Sequence, residues 1–127
     1  MACAILCIAL GLHGAGIDVT AVDVATPAIT AQVARRVALR NFRGFARPYT
    51  SGWTRVGRVS VHLVRVLRSN SVGPLGLFTD QVVWLVVIRD VSIPDLGPPG
   101  RRHHDFIGWL GVFVRPDTPR YIVATSF

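Results

Sequence analysis

Gln81-Val82-Val83-Trp84-Leu85-Val86-Val87-Ile88 is the stretch on which the fold turns. Val82 through Val87 leave no polar face. The run is far shorter than the roughly 20 apolar residues a membrane helix needs. It is also too rich in β-branched residues for a comfortable soluble helix. It reads as the central strand of a sheet, covered on both faces.

The flanks supply its neighbours. Upstream, Val59, Val61 and Leu63 alternate with Arg58, Ser60 and His62, the period of a strand with one apolar face. After Leu63 the alternation changes phase, with Val64 and Val66 set against Arg65, as at a β-bulge or where a strand leaves its sheet. Ser69 to Gly76 reads as a turn region. Downstream, Pro94 to Arg102 holds three prolines and two glycines and must be a loop. A closing hairpin follows: Phe106–Val114, the turn Arg115-Pro116-Asp117-Thr118-Pro119, then Tyr121–Thr125. Gly108 and Gly111 lie inside its first strand, where glycine marks a bulge or a close backbone approach.

One helix precedes these strands. Thr30 suits an N-cap, and Gly44 suits the C-terminal stop. Between them Val33, Ala34, Val37, Ala38 and Phe42 fall on one side of a helical wheel, with Asn41 as the exception. Arg35, Arg36, Arg40 and Arg43 take the other side. Residues 44–57, with Pro48, Gly52 and Gly57 among aromatics, read as loop. The expected architecture is α+β: one amphipathic helix packed on a four-stranded antiparallel sheet, preceded by an apolar N-terminal segment.

That segment, residues 1–17, runs apolar from Ala2 to Leu12 and has small residues at Gly14-Ala15-Gly16. It resembles the apolar region of a signal peptide without the basic residues that usually precede one, and it is too short to span a bilayer. Residues 18–29 read as a linker in which Pro27 discourages a continuous helix. Residues 30–127 form the domain. Export or membrane anchoring is the favoured reading, with a buried N-terminal element of a soluble, cytoplasmic domain as its rival. Leu6, directly before Cys7, is not the small residue a lipoprotein site calls for. The two cysteines, Cys3 and Cys7, stand about one helical turn apart, so a disulfide between them would staple nothing.

The chain of 127 residues is half apolar, which fits one folded domain with its own core. All fourteen basic residues are Arg and all seven acidic residues are Asp. The net charge of +7 is concentrated: nine arginines and no acid lie between Asp23 and Asp80, whereas five Arg and five Asp balance from Asp80 onward. Such a field attracts nucleic acid, anionic lipid or an acidic protein surface, and it can equally be a solvated face.

Three pieces of the chain resemble PepSY-like domains, small exported modules found in peptidase propeptides. They are the helix Ile29-Thr30-Ala31-Gln32-Val33-Ala34-Arg35-Arg36-Val37-Ala38-Leu39, the Trp-centred strand Val83-Trp84-Leu85-Val86-Val87, and the closing hairpin Val112-Phe113-Val114-Arg115-Pro116-Asp117-Thr118-Pro119-Arg120-Tyr121. In the hairpin Pro119 stands where the family has Gly, and Arg115 where it has Asp. The resemblance spans about residues 29–127. It implies an extracytoplasmic module that inhibits, chaperones or docks onto another protein, with no catalytic residues and no cofactor.

Chemistry-bearing clusters are few. His103-His104-Asp105 is the one group of metal-ligand types, and His62 can join it only if the two strands are neighbours. Neighbouring residues entering a strand point to opposite faces, so a polar loop entry is the plainer reading. Nucleophile motifs, a phosphate-binding glycine loop and Glu are all missing from the sequence. The basic region interleaves Phe42, Phe45, Tyr49 and Trp53 with Arg43, Arg47 and Arg55, the chemistry of single-strand nucleic-acid binding.

The expectation is therefore a non-enzymatic protein-binding module. Its contact surfaces are a sheet edge, used by strand addition, and an arginine face of Arg35, Arg36, Arg40, Arg43 and Arg47 with Trp53. A nucleic-acid-binding domain is the alternative. A cystatin-like small-ligand domain is a third reading, which calls for a deep apolar cavity beneath the helix.

Overall fold

The computed structural model describes residues 17–22, 25–42, 47–48, 59–69, 73–93, 100 and 106–126. In chain order the elements are β1 (Ile17–Ala21), α1 (Ala31–Phe42), β2 (Arg47–Pro48), β3 (Val59–Ser69), a 3-10 turn (Gly73–Phe78), β4 (Val82–Ile93), β5 (Phe106–Val114) and β6 (Tyr121–Ser126). The sheet is antiparallel, in the order β1-β3-β4-β5-β6, and two-residue β2 pairs with β4 beside Val91 and Ser92. The fold is α+β, one helix packed on an antiparallel sheet.

The central position of β4 follows from its composition. Hydrogen-bonded to β3 on one side and β5 on the other, its Val83–Ile88 segment is buried throughout. A strand with apolar side chains on both faces is stable only where both faces are covered. Trp84, Val86 and Ile88 face α1 with Leu110, Val112 and Val114 of β5. Val83, Leu85 and Val87 face the other way with Phe113, Val64, Val66 and Leu75 of the 3-10 turn.

The main path of the sheet has five strands, not the expected four. Ile17–Ala21 pairs antiparallel with β3, so the stretch read as apolar segment and linker begins with an edge strand. Its composition looks like linker, yet Ile17 and Val19 are buried while Asp18 and Thr20 point away, a period of two. Five residues are too short a window to outweigh the flanking Asp, Thr and Pro. Residues 1–16 lie outside the described residues, and among those described no helix is long and apolar enough to cross a membrane.

The phase change in β3 is also corrected. Register with β4 runs without a break from Val59–Ile88 to Arg65–Val82. Val59, Val61 and Leu63 pack beneath α1, while Val64 and Val66 point to the opposite face. What changes after Leu63 is which face is covered: Leu75 of the 3-10 turn joins Val64 and Val66 on the far side. The register shifts lie at other points: Leu67 of β3 is the extra residue against Asp18 and Val19 of β1, Arg89 and Asp90 of β4 stand against Trp109 alone, and Ile122 of β6 is the extra residue against Phe113 and Val114. Asp90, in the second of these, has φ of 52°, and Gly108 pairs with Val91 where the register resumes. The glycine does mark a bulge, as the sequence implies.

The helix is held at its entry. Thr30 Oγ1 accepts from Val33 N–H at 3.3 Å, completing the N-cap. The indole Nε1 of Trp84 donates to the Ile29 carbonyl at 2.9 Å, and Ile29 N–H donates to the Pro116 carbonyl at 3.0 Å. The chain just before α1 is thereby tied to both the central strand and the β5–β6 turn. Ala34 and Ala38 are fully buried, so the helix sits close over β3, β4 and β5.

Candidate functional site

The apolar requirement that buries Ala34, Val37 and Ala38 turns Arg36 and Arg40 outward, because residues four apart share a helix face. Both are exposed, and Arg35 is half-buried beside them. Two hollows flank this ridge. One, of about 430 Å³, is lined by Gln32, Arg35, Arg36, Leu39 and Arg40. The other, of about 480 Å³, lies between α1 and the β5–β6 turn, lined by Val33, Arg36, Val37, Arg40, Asn41 and Pro119. Arg36 and Arg40 border both. Asn41, the polar exception on the apolar side, donates its Nδ2–H to the Val37 carbonyl at 2.8 Å.

No acid neutralises the ridge among the described residues. Asp18 pairs with Arg68 at 3.3 Å, and Asp117 takes a two-pronged contact from Arg115 at 3.0 and 3.1 Å. That contact holds the Asp117 carboxyl below its ordinary pKa and the Arg115 guanidinium above its own. Arg65 donates to the Asp80 carbonyl at 2.9 Å. Arg35, Arg36 and Arg40 form no ion pair with a described residue. The structure therefore brings together three of the predicted residues. Arg47 stands apart in β2, paired with Ser92 of β4. Arg43 and Trp53 lie outside the described residues.

A second cluster, on the sheet face away from α1, escaped sequence reasoning. Ser60 Oγ and His62 Nε2 are hydrogen-bonded at 2.9 Å. Nearby, the Arg89 guanidinium lies over the Trp109 ring, 4.7 Å from its centroid, with its Nε buried and unpartnered. Burial first, and the charge of Arg89 second, push the His62 pKa below its ordinary value. The only advance signal was Ser60 and His62 alternating with valines; the link to Arg89 and Trp109 needs strand register.

Among the described residues no group of three His, Cys, Asp or Glu can hold a metal ion. His62 is engaged with Ser60, and His103 and His104 lie outside the described residues. Beneath the helix, Trp84, Val86 and Val112 belong to the same apolar cluster as Ala34 and Ala38.

Comparison with known proteins returns no relative: no family model, no curated protein and no solved structure matches the chain.

Proposed function

We propose that this chain is a non-enzymatic protein-binding module that uses the α1 ridge to dock acidic segments of a partner. The observation that carries the reading is the placement of Arg36 and Arg40. They border both hollows, no described acid neutralises them, and the hollow beside Pro119 has an apolar floor of Val33 and Val37. Charge around an apolar floor suits a segment carrying carboxylates and an apolar anchor. The PepSY-like resemblance supports the same reading, since its three pieces form α1, β4 and the closing hairpin. It adds that the module works outside the cytoplasm or from a membrane anchor.

Titrating the full chain with an acidic peptide that carries apolar residues tests this, beside a single-stranded oligonucleotide of similar charge and anionic vesicles. The peptide is expected to bind, more weakly as salt rises. The double change Arg36→Gln, Arg40→Gln is expected to reduce affinity roughly two- to thirtyfold, from two exposed charge contacts of about 0.2–1 kcal/mol each. Preferential binding of the oligonucleotide with the same sensitivity would replace this reading with nucleic-acid recognition. Preferential binding to vesicles would replace it with a lipid surface.

A further inference from the structure

The two hollows beside α1 differ in character, and the helix sets the distance between them. Gln32, Arg35 and Leu39 line only the first. Val33, Val37, Asn41 and Pro119 line only the second, and its two valines belong to the apolar cluster beneath α1 or pack against it. Arg36 and Arg40 line both and form the ridge between them. At about 100° of turn per residue, the centres of the two helical linings lie about 100° apart round the helix. Along its axis they differ by only about one residue, or about 1.5 Å. On a surface about 5–6 Å from the axis this places the hollows about 9 Å apart, almost wholly across α1.

Building on the docking reading above, we infer that the partner's segment is extended and crosses α1, with an acidic and an apolar residue three positions apart. The spacing selects this form. Helices usually cross at about 20° or 50°, so a helical segment on α1 would run more along the ridge than over it. In a β-strand, residues on one face are about 7 Å apart at two positions and about 13 Å at four, and neither matches. Polyproline II has three residues per turn and rises about 3.1 Å per residue, so positions i and i+3 share a face about 9 Å apart. In this crossing the carboxylate enters the hollow of Gln32, Arg35, Arg36 and Arg40, where no described acid competes for the guanidinium groups. The apolar side chain reaches the Val33–Val37 floor beside Pro119. Polyproline II leaves its carbonyls without internal partners, so the exposed Arg36 and Arg40 can donate to the backbone passing over them.

The apolar seat is braced before any ligand arrives. Its helix wall and its turn wall are tied together through Ile29, whose N–H donates to the Pro116 carbonyl and whose carbonyl accepts from Trp84 Nε1. A seat fixed in this way sets the register of the segment, and the guanidinium groups then select an acid at the matching position.

The test is an NMR titration of the full chain, which follows weak binding, with capped peptides of one composition. Each carries an Asp and a Leu on a proline frame, placed adjacent, three apart or six apart, in both orders. The three-apart peptide in its better order is expected to bind about two- to fivefold more tightly than the others, the worth of one exposed charge contact. Arg35→Gln is expected to shrink that advantage. Val33→Thr, which puts a hydroxyl on the apolar floor, is expected to weaken every Leu-bearing peptide and to spare one with Ala in place of Leu. Equal binding at all three spacings, weakened by Arg36→Gln with Arg40→Gln, overturns the crossing geometry and leaves acidic docking on the ridge in place. Tighter binding of a helical peptide with the same two groups one turn apart also overturns it. Binding by none of the peptides overturns the docking reading itself, and the crossing with it.

Discussion

On the helix face of the sheet, Trp84, Val86, Ile88, Leu110, Val112 and Val114 lie under α1 as one apolar layer. The opposite face changes character along its length. Around Val64, Val66, Leu85 and Phe113 it is as dry as the helix face, whereas Ser60, His62 and Arg89 make its other end polar and half-buried. The difference teaches what alternation in a sequence measures. It reports which face is covered at each point, and a strand can pass from one cover to another with its backbone register intact.

The largest expected effect tests whether the face away from the helix is a true core. Phe113 is fully buried there, and Phe113→Ala is expected to cost about 3–5 kcal/mol in denaturant unfolding, through lost burial and the cavity left behind. A loss under about 1 kcal/mol would mean the face collapses around the gap, and that only the helix side stabilises the domain.

A smaller effect probes the helix face. Trp84→Phe keeps an aromatic ring but removes the donor to the Ile29 carbonyl. The expected cost is about 1–3 kcal/mol, the penalty for leaving a buried acceptor unmatched. Because that bond fixes the chain entering α1, amide exchange in the first turn of the helix should quicken with it. Unchanged exchange there would show that packing of Ala34, Val37 and Ala38 alone holds the helix.

The elements legible in the sequence were those with a local signature. The helix could be read from Thr30 and the spacing of its apolar residues, and β4 from an apolar run admitting no other placement. The Arg115–Pro119 turn was legible from its prolines. β1 was missed because five residues carry too little pattern against a linker-like setting, and it becomes a strand only because β3 supplies an edge. Arg36 and Arg40 were legible as exposed, since helical spacing fixes that. The hollow they share with Pro119 was not, because the turn and the helix are far apart in the chain. The Ser60–His62–Arg89–Trp109 cluster was hidden for the same reason: three strands contribute to it.

The smallest effect sharpens the contrast at that polar end. His62 titrates below its ordinary value, chiefly through burial and then through the charge of Arg89. The unfolded chain therefore takes up this proton at a higher pH, near 6.5, than the folded chain does. As pH falls below about 6.5 the unfolded state binds more protons, so stability declines until the folded group also titrates. Above that pH the residue adds no slope. His62→Gln keeps a polar partner for Ser60 and should flatten the acid limb of the stability profile. Arg89→Gln removes only the lesser cause, so the His62 ring signals followed by NMR should shift part of the way toward an ordinary titration. Full restoration by Arg89→Gln would mean that charge, not cover, governs this end of the sheet. The two faces would then differ by electrostatics laid over equal burial.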